Sequence, residues 1–173
     1  WYIPLKEPFS ELWYTLAWWS WLVIEDASIF DTTWNDAIVD RVLIEFRDGA
    51  ASGSLMHTIP ALVQRDGDII ASDGGQLWVP WMVDGTYYVA IRHRNHLSIL
   101  SEDTITVSYW TPVTVDFTDG SVNTYGSGAQ ANINWTLLMR WWNTTSDAYV
   151  RYSDGFIPPF TAVSYTHLRA HET

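Results

Sequence analysis

Hydrophobic and polar residues alternate with a period of two through the middle of the chain. Val39 to Arg47 reads VDRVLIEFR, with Val42, Ile44 and Phe46 on one face and Leu43, Glu45 and Arg47 on the other. That is the pattern of a half-buried strand. Asp48-Gly49 ends it. Ala61 to Arg65 runs into Asp66-Gly67, with Asp68, Ile69 and Ile70 following; an Asp-Gly pair between apolar runs predicts a hairpin. Asp73-Gly74-Gly75 and Asp84-Gly85 are further turns. Leu77 to Met82 is apolar, but Pro80 makes it an edge strand or an irregular crossover. Thr86 to Arg94 is the clearest strand. Tyr87, Val89, Ile91 and His93 share one face; Tyr88, Ala90, Arg92 and Arg94 share the other. Thr104 to Tyr109 and Val113 to Thr118 are short β-branched strands, and Asp119-Gly120 closes the second. Residues 38–118 show no helical period. Short strands with Gly or Asp turns predict an all-β fold, an antiparallel β-sandwich.

The flanks are less regular. Pro4 and Pro8 suggest an extended lead-in, and Leu12 to Ile24 reads as a short helix, a pair of strands or a packed aromatic ribbon. Asn123 to Asn132 is loop-like, Trp135 to Trp142 is apolar, and Ala148 to Tyr152 suits a final strand. The expected organisation is a Trp-rich lead-in over 1–37 and a sandwich core over 38–130. Residues 131–162 are C-terminal strands or the start of another region. Val163 to Thr173 (VSYTHLRAHET) resembles translated sequencing-adaptor read-through and is set apart as a non-native tail.

Composition narrows the function. With 20 acids against 9 bases the net charge is −11, which repels phosphate and disfavours nucleic acid. Cysteine is absent, so disulfides, thiolate metal sites and cysteine nucleophiles are excluded. Trp18 to Ile24 is the longest apolar stretch, far short of the roughly 20 residues that span a bilayer, and no signal-peptide pattern precedes it. The chain opens on Trp1 and reads as an internal piece of a longer frame.

Several phrases together carry a resemblance. They are IPLKEPF at 3–9, VDRVLIEFRD at 39–48, ALVQRDGDII at 61–70, GTYYVAIRHRNHL at 85–97, TVDFT at 114–118 and TYGSGAQ at 124–130. The series resembles a β-rich region of large secreted, cell-surface proteins of Bacteroidetes, often found upstream of a type IX secretion sorting domain. The core pattern is also similar to transthyretin-like modules, so a transthyretin-like or immunoglobulin-like sandwich is implied. An extracellular or outer-surface location is implied as well, with neighbouring domains of the same polypeptide as partners. Two departures stand out. Arg41 takes a place where the family often has Trp. Trp141 to Asp147 holds one carboxylate where the family often carries an acidic, calcium-type repeat, so that site is not carried over. Asp31-Thr32-Thr33 and Asp103-Thr104-Ile105 match short O-glycosylation sites of such bacteria, and two Asn sequons, at Asn134 and Asn143, carry no weight in a bacterium.

The candidate sites are few. His93 and His96 lie among Arg92, Arg94 and Asn95. On one strand, positions three apart face opposite ways, and the arginines repel a cation, so a structural role is expected, with the arginines pairing to surface acids. Asp66, Asp68 and Asp73 offer at most a tentative calcium loop, because the EF-hand spacing and its bidentate Glu are missing. No cofactor is implied. No G-x-S-x-G or phosphate loop occurs, and His57, His93 and His96 are the only histidines outside the tail, so no catalysis is expected. The twelve tryptophans remain. Trp13, Trp18, Trp19, Trp21, Trp78 and Trp81 either fill a thin core or stack on sugars and anchor interfaces. The expected function is a non-catalytic spacer or adhesion module. The alternatives are a carbohydrate-binding module and an accessory domain of an exported hydrolase, and the partners a glycan or a host or cell-surface protein.

Overall fold

The computed structural model describes residues 3–12, 14–17, 24, 26–50, 53–94, 96–140 and the backbone of 167–169. Its strands are β1 (Ile38–Arg47), β2 (Leu55–Gln64), β3 (Asp68–Ile70), β4 (Gly85–His93), β5 (His96–Leu100), β6 (Ile105–Val107), β7 (Thr114–Val115), β8 (Gln130–Ile133), β9 (Thr136–Met139) and β10 (His167–Arg169). Two 3-10 turns, Ala27–Asp31 and Trp34–Asp36, precede β1, and no α-helix occurs among the described residues. The fold is an all-β sandwich, antiparallel apart from one short pairing.

β1 and β2 are the long central pair, with Val42 opposite Ala61 and Ile44 opposite Ile59. β4 lies on the other side of β1, Ile44 opposite Ile91 and Phe46 opposite Val89. The free edge of β4 is shared: Gly85 to Tyr87 pair with β6, and Ala90 to His93 pair with β5. β6 and β7 then cross the inner face. Ile105, Val107 and Val113 pack onto the cluster formed by Val42, Ile44, Phe46, Tyr87, Val89 and Ile91. The six side chains read from the alternation as inward therefore share one core. Each buried aliphatic of this size contributes about 1.5–3 kcal/mol. The layers leave a small apolar cavity of about 30 Å³, lined only by aliphatic and aromatic side chains, including Ile44, Val89, Val107 and Val115.

The half-buried reading of β1 needs correction. Its second face is covered too. Arg41, Leu43 and Glu45 are buried, along with Leu62 and Ala90. The lead-in supplies part of that cover. Arg41, 1% exposed, donates from Nε to the Pro4 carbonyl at 3.0 Å and from Nη2 to the Pro4 and Leu5 carbonyls at 2.7 Å each. Phe9 and Glu7 are buried on the same segment. Ala17 lies along the edge of β2, where the Thr58 N–H donates to the Ala17 carbonyl at 3.3 Å. That bond explains Pro60. Alternate N–H groups point the same way along a strand, so the N–H that Pro60 lacks would also face outward. On β2, β3 pairs with Leu62 and Val63 and stops short of Pro60, so among the described residues no ladder bond is lost there.

The expected hairpin at Asp66-Gly67 is present, with Gly67 at φ 100°. Leu77 to Met82 is an irregular crossover. β5 has no counterpart among the strands read from the sequence, and the β8–β9 hairpin falls where 131–162 reads as C-terminal strands or the start of another region, without its turn or bounds being placed. The segment set apart as a non-native tail contributes backbone to the sheet: β10 runs parallel to β3 and antiparallel to β7. Ladder bonds need only an extended main chain, so such pairing tolerates almost any sequence. Trp13, Trp18, Trp19, Trp21, Asn95 and the expected strand at Ala148 to Tyr152 lie outside the described residues.

Candidate ligand-binding face

The crossover before β4 and the turn between β6 and β7 are tied together by one carboxylate. Asp84 Oδ1 accepts from the Tyr109 N–H at 2.8 Å, and Oδ2 accepts from Ser108 Oγ at 3.2 Å. Ser108 bridges to Thr111, which puts Tyr109 and Trp110 at the tip of a two-residue turn. Tyr87 Oη donates to the Val83 carbonyl at 2.7 Å and anchors the crossover from below. Four aromatic rings stand exposed on these two tied segments: Trp78, Trp81, Tyr109 and Trp110. Trp81 and Trp110 are 74% and 72% exposed. Trp78 meets Tyr109 edge-to-face at 6.3 Å between ring centroids, and Tyr109 meets Trp110 at 4.7 Å.

Trp81 holds φ +58°, a left-handed conformation uncommon for a bulky residue. Both ring-bearing segments lie in stretches of the chain without cations: there is no Lys or Arg between Arg65 and Arg92, nor between Arg94 and Arg140.

Of the tryptophans singled out from sequence, Trp78 and Trp81 are on this face. Tyr109 and Trp110 were not singled out. Their signal was an aromatic pair between two β-branched strands just before Pro112, where a turn has to fall.

The histidine cluster is organised differently from the one-strand expectation. The chain reverses after His93, so His93 and His96 are cross-strand partners and face each other. Their Nδ1 atoms are 2.8 Å apart. His93 Nε2 lies 3.1 Å from Asp40 Oδ2, and Arg94 Nη2 lies 3.1 Å from Asp40 Oδ1. A proton on His93 Nε2, facing the carboxylate, leaves His93 Nδ1 to accept from His96 Nδ1–H. Burial, with the neighbouring His93, pushes the His96 imidazole down to about 4, against the pull of Asp40. Burial raises the Asp40 carboxyl, but His93, the Arg41 N–H and Arg94 outweigh it, and its net shift is downward. Arg92 pairs with Glu45, which Arg47 also holds at 2.8 Å. The acids that meet these arginines are buried rather than on the surface.

Asp66 Oδ1 accepts from the Asp68 N–H at 3.2 Å, and Asp73 Oδ1 accepts from the Gly75 N–H at 2.9 Å. These are turn-capping bonds. Among the described residues no three His, Asp or Glu side chains are grouped to hold a metal ion. No helix among them is long and apolar enough to cross a membrane. His57, His93 and His96 are all buried, and none lines the apolar cavity.

No protein-family model, curated protein or solved structure matches this chain.

Proposed function

We propose that the chain is a non-catalytic β-sandwich module of a large secreted bacterial surface protein, acting as an adhesion unit through the aromatic face of Trp78, Trp81, Tyr109 and Trp110. The observation that carries this reading is the exposure of four rings on two loops that Asp84 pins together. Aromatic residues at a fixed, solvent-facing position are the usual anchors of recognition. The extracellular setting rests on the phrases at 39–48, 61–70 and 85–97, and the lack of cysteine is compatible with it.

A second reading, a carbohydrate-binding module, is favoured by the make-up of the face, which is Trp and Tyr rather than Leu, Ile or Met. The test of the adhesion reading is adsorption of the fluorescently labelled chain to surfaces coated with glycan or with protein. Wild type should adsorb, and a Trp81→Ala/Trp110→Ala variant should lose about tenfold or more. Equal adsorption by the two would contradict the reading. The setting is tested by recovering the full reading frame, where a C-terminal sorting domain is expected. A catalytic domain beside the module would favour the accessory-domain alternative.

A further inference from the structure

We infer that the aromatic face takes an uncharged glycan, with pyranose rings stacked on Trp81 and Trp110 and hydroxyls bonded at Asp84. This deepens the adhesion reading and rests on it.

Three observations carry it. First, Trp78, Tyr109 and Trp110 are set edge-to-face and Trp81 stands exposed beside Asp84 in the chain, so the rings offer separate flat faces rather than one flush apolar surface. A stable protein interface needs roughly 800 Å² per partner, with a closely packed apolar centre. Val83 is the one exposed aliphatic residue within the two ring-bearing segments. The axial C–H faces of a sugar need bare ring faces instead, with polar groups beside them.

Second, such polar groups are present. A carboxylate offers about four acceptor sites. Asp84 gives one to the Tyr109 N–H and one to Ser108, leaving capacity for sugar hydroxyls. Thr111 adds an exposed hydroxyl at the same turn.

Third, the charge is one-sided. The nearest cations along the chain are Arg65 and Arg92 for one segment and Arg94 and Arg140 for the other. With Asp84 joining the two segments and a net charge of −11, a sulfated or carboxylated glycan is repelled. Trp81 adds to the case. A large ring at φ +58°, turned to solvent, strains the backbone without contributing to the core. Trp34 and Trp135 share both traits, but neither lies on the two segments that Asp84 ties together. They serve as controls.

The test is native electrophoresis of the full chain in gels containing soluble β-glucan, mannan or xyloglucan, beside gels containing polygalacturonate or heparin. At least one neutral polymer should retard wild type. Trp81→Ala and Trp110→Ala should each weaken the retardation about tenfold, and Trp135→Ala should leave it unchanged. Melting temperatures of the variants establish that they are folded. Retardation by the anionic polymers alone overturns the uncharged class. Retardation that survives the double variant overturns the site. Adsorption to the protein-coated surface, lost in the double variant, with no retardation in any gel, overturns the glycan but leaves the adhesion reading standing. Absence of both overturns the two together.

Discussion

Arg41 shows how far a single side chain departs from its pattern. Its position in the alternation reads as an outward, polar place on β1, yet it is buried. Three donations to the Pro4 and Leu5 carbonyls satisfy the guanidinium, and the anions Glu7 and Asp40 oppose the lowering that burial imposes on it. Removing it takes the side-chain donors from the Pro4 carbonyl, leaves the Leu5 carbonyl with the Ile24 N–H, and removes a cation near Glu7 and Asp40. Arg41→Ala should therefore cost about 1–3 kcal/mol in urea unfolding. Trp135 is the opposite case, a residue whose backbone wants something else. Asn134 and Trp135 form the two-residue β8–β9 turn at φ +52° and +69°, and the Trp135 ring is 92% exposed. Asn-Gly is the preferred pair for such a turn. Trp135→Gly should raise stability by about 1 kcal/mol, read as a higher melting temperature.

At the scale of elements, alternation made the inner faces of β1 and β4 legible, because β-branched and aromatic residues recur at every second place. It could not show that β1 is covered on both sides. Arg41 and Glu45 look like solvent-facing residues, and their burial depends on partners distant in sequence: Pro4, Leu5 and Arg92. β5 was hidden because the turn at Arg94 carries none of the usual Gly signals. C-terminal strands are one reading of 131–162, but the β8–β9 turn was hidden because Trp135 stands where Gly is expected. Trp78 and Trp81 were legible as candidate binding residues by type alone; their grouping with Tyr109 and Trp110 depends on Asp84, a tertiary link.

The β4–β5 hairpin also carries a pH dependence. The His96 imidazole is lowered to about 4 in the fold, against about 6.5 in an unfolded chain. Its stabilisation is complete above about 6.5 and is lost as the pH falls through 6.5 towards 4, since the unfolded state takes up the proton first. The full shift corresponds to about 3 kcal/mol, and about 2 kcal/mol remains after allowance for solvent near the ring. The lowered Asp40 carboxyl adds a loss of the same sign at still lower pH. Stability measured from pH 8 to pH 4 should fall for wild type. It should fall less for His96→Asn, which keeps a donor towards His93 without a titrating ring.

Among the described residues the molecule is a β-sandwich with an apolar core, in which Asp40 and Glu45 meet their cations within the sheet and Arg41 is held by carbonyls of the lead-in. Its exposed aromatic rim is the crossover and the β6–β7 turn, which present rings on a base tied by Asp84. The central claim is that these rings form the binding face, and the indole N–H signals of the tryptophans report on it directly by nuclear magnetic resonance. Single Trp→Phe variants assign the signals, and a neutral oligosaccharide is then titrated into the ¹⁵N-labelled chain. The account predicts that the Trp78, Trp81 and Trp110 signals shift together along one saturable curve while Trp34 and Trp135 stay still. Static signals from all three, or shifts confined to Trp34 and Trp135, would contradict it.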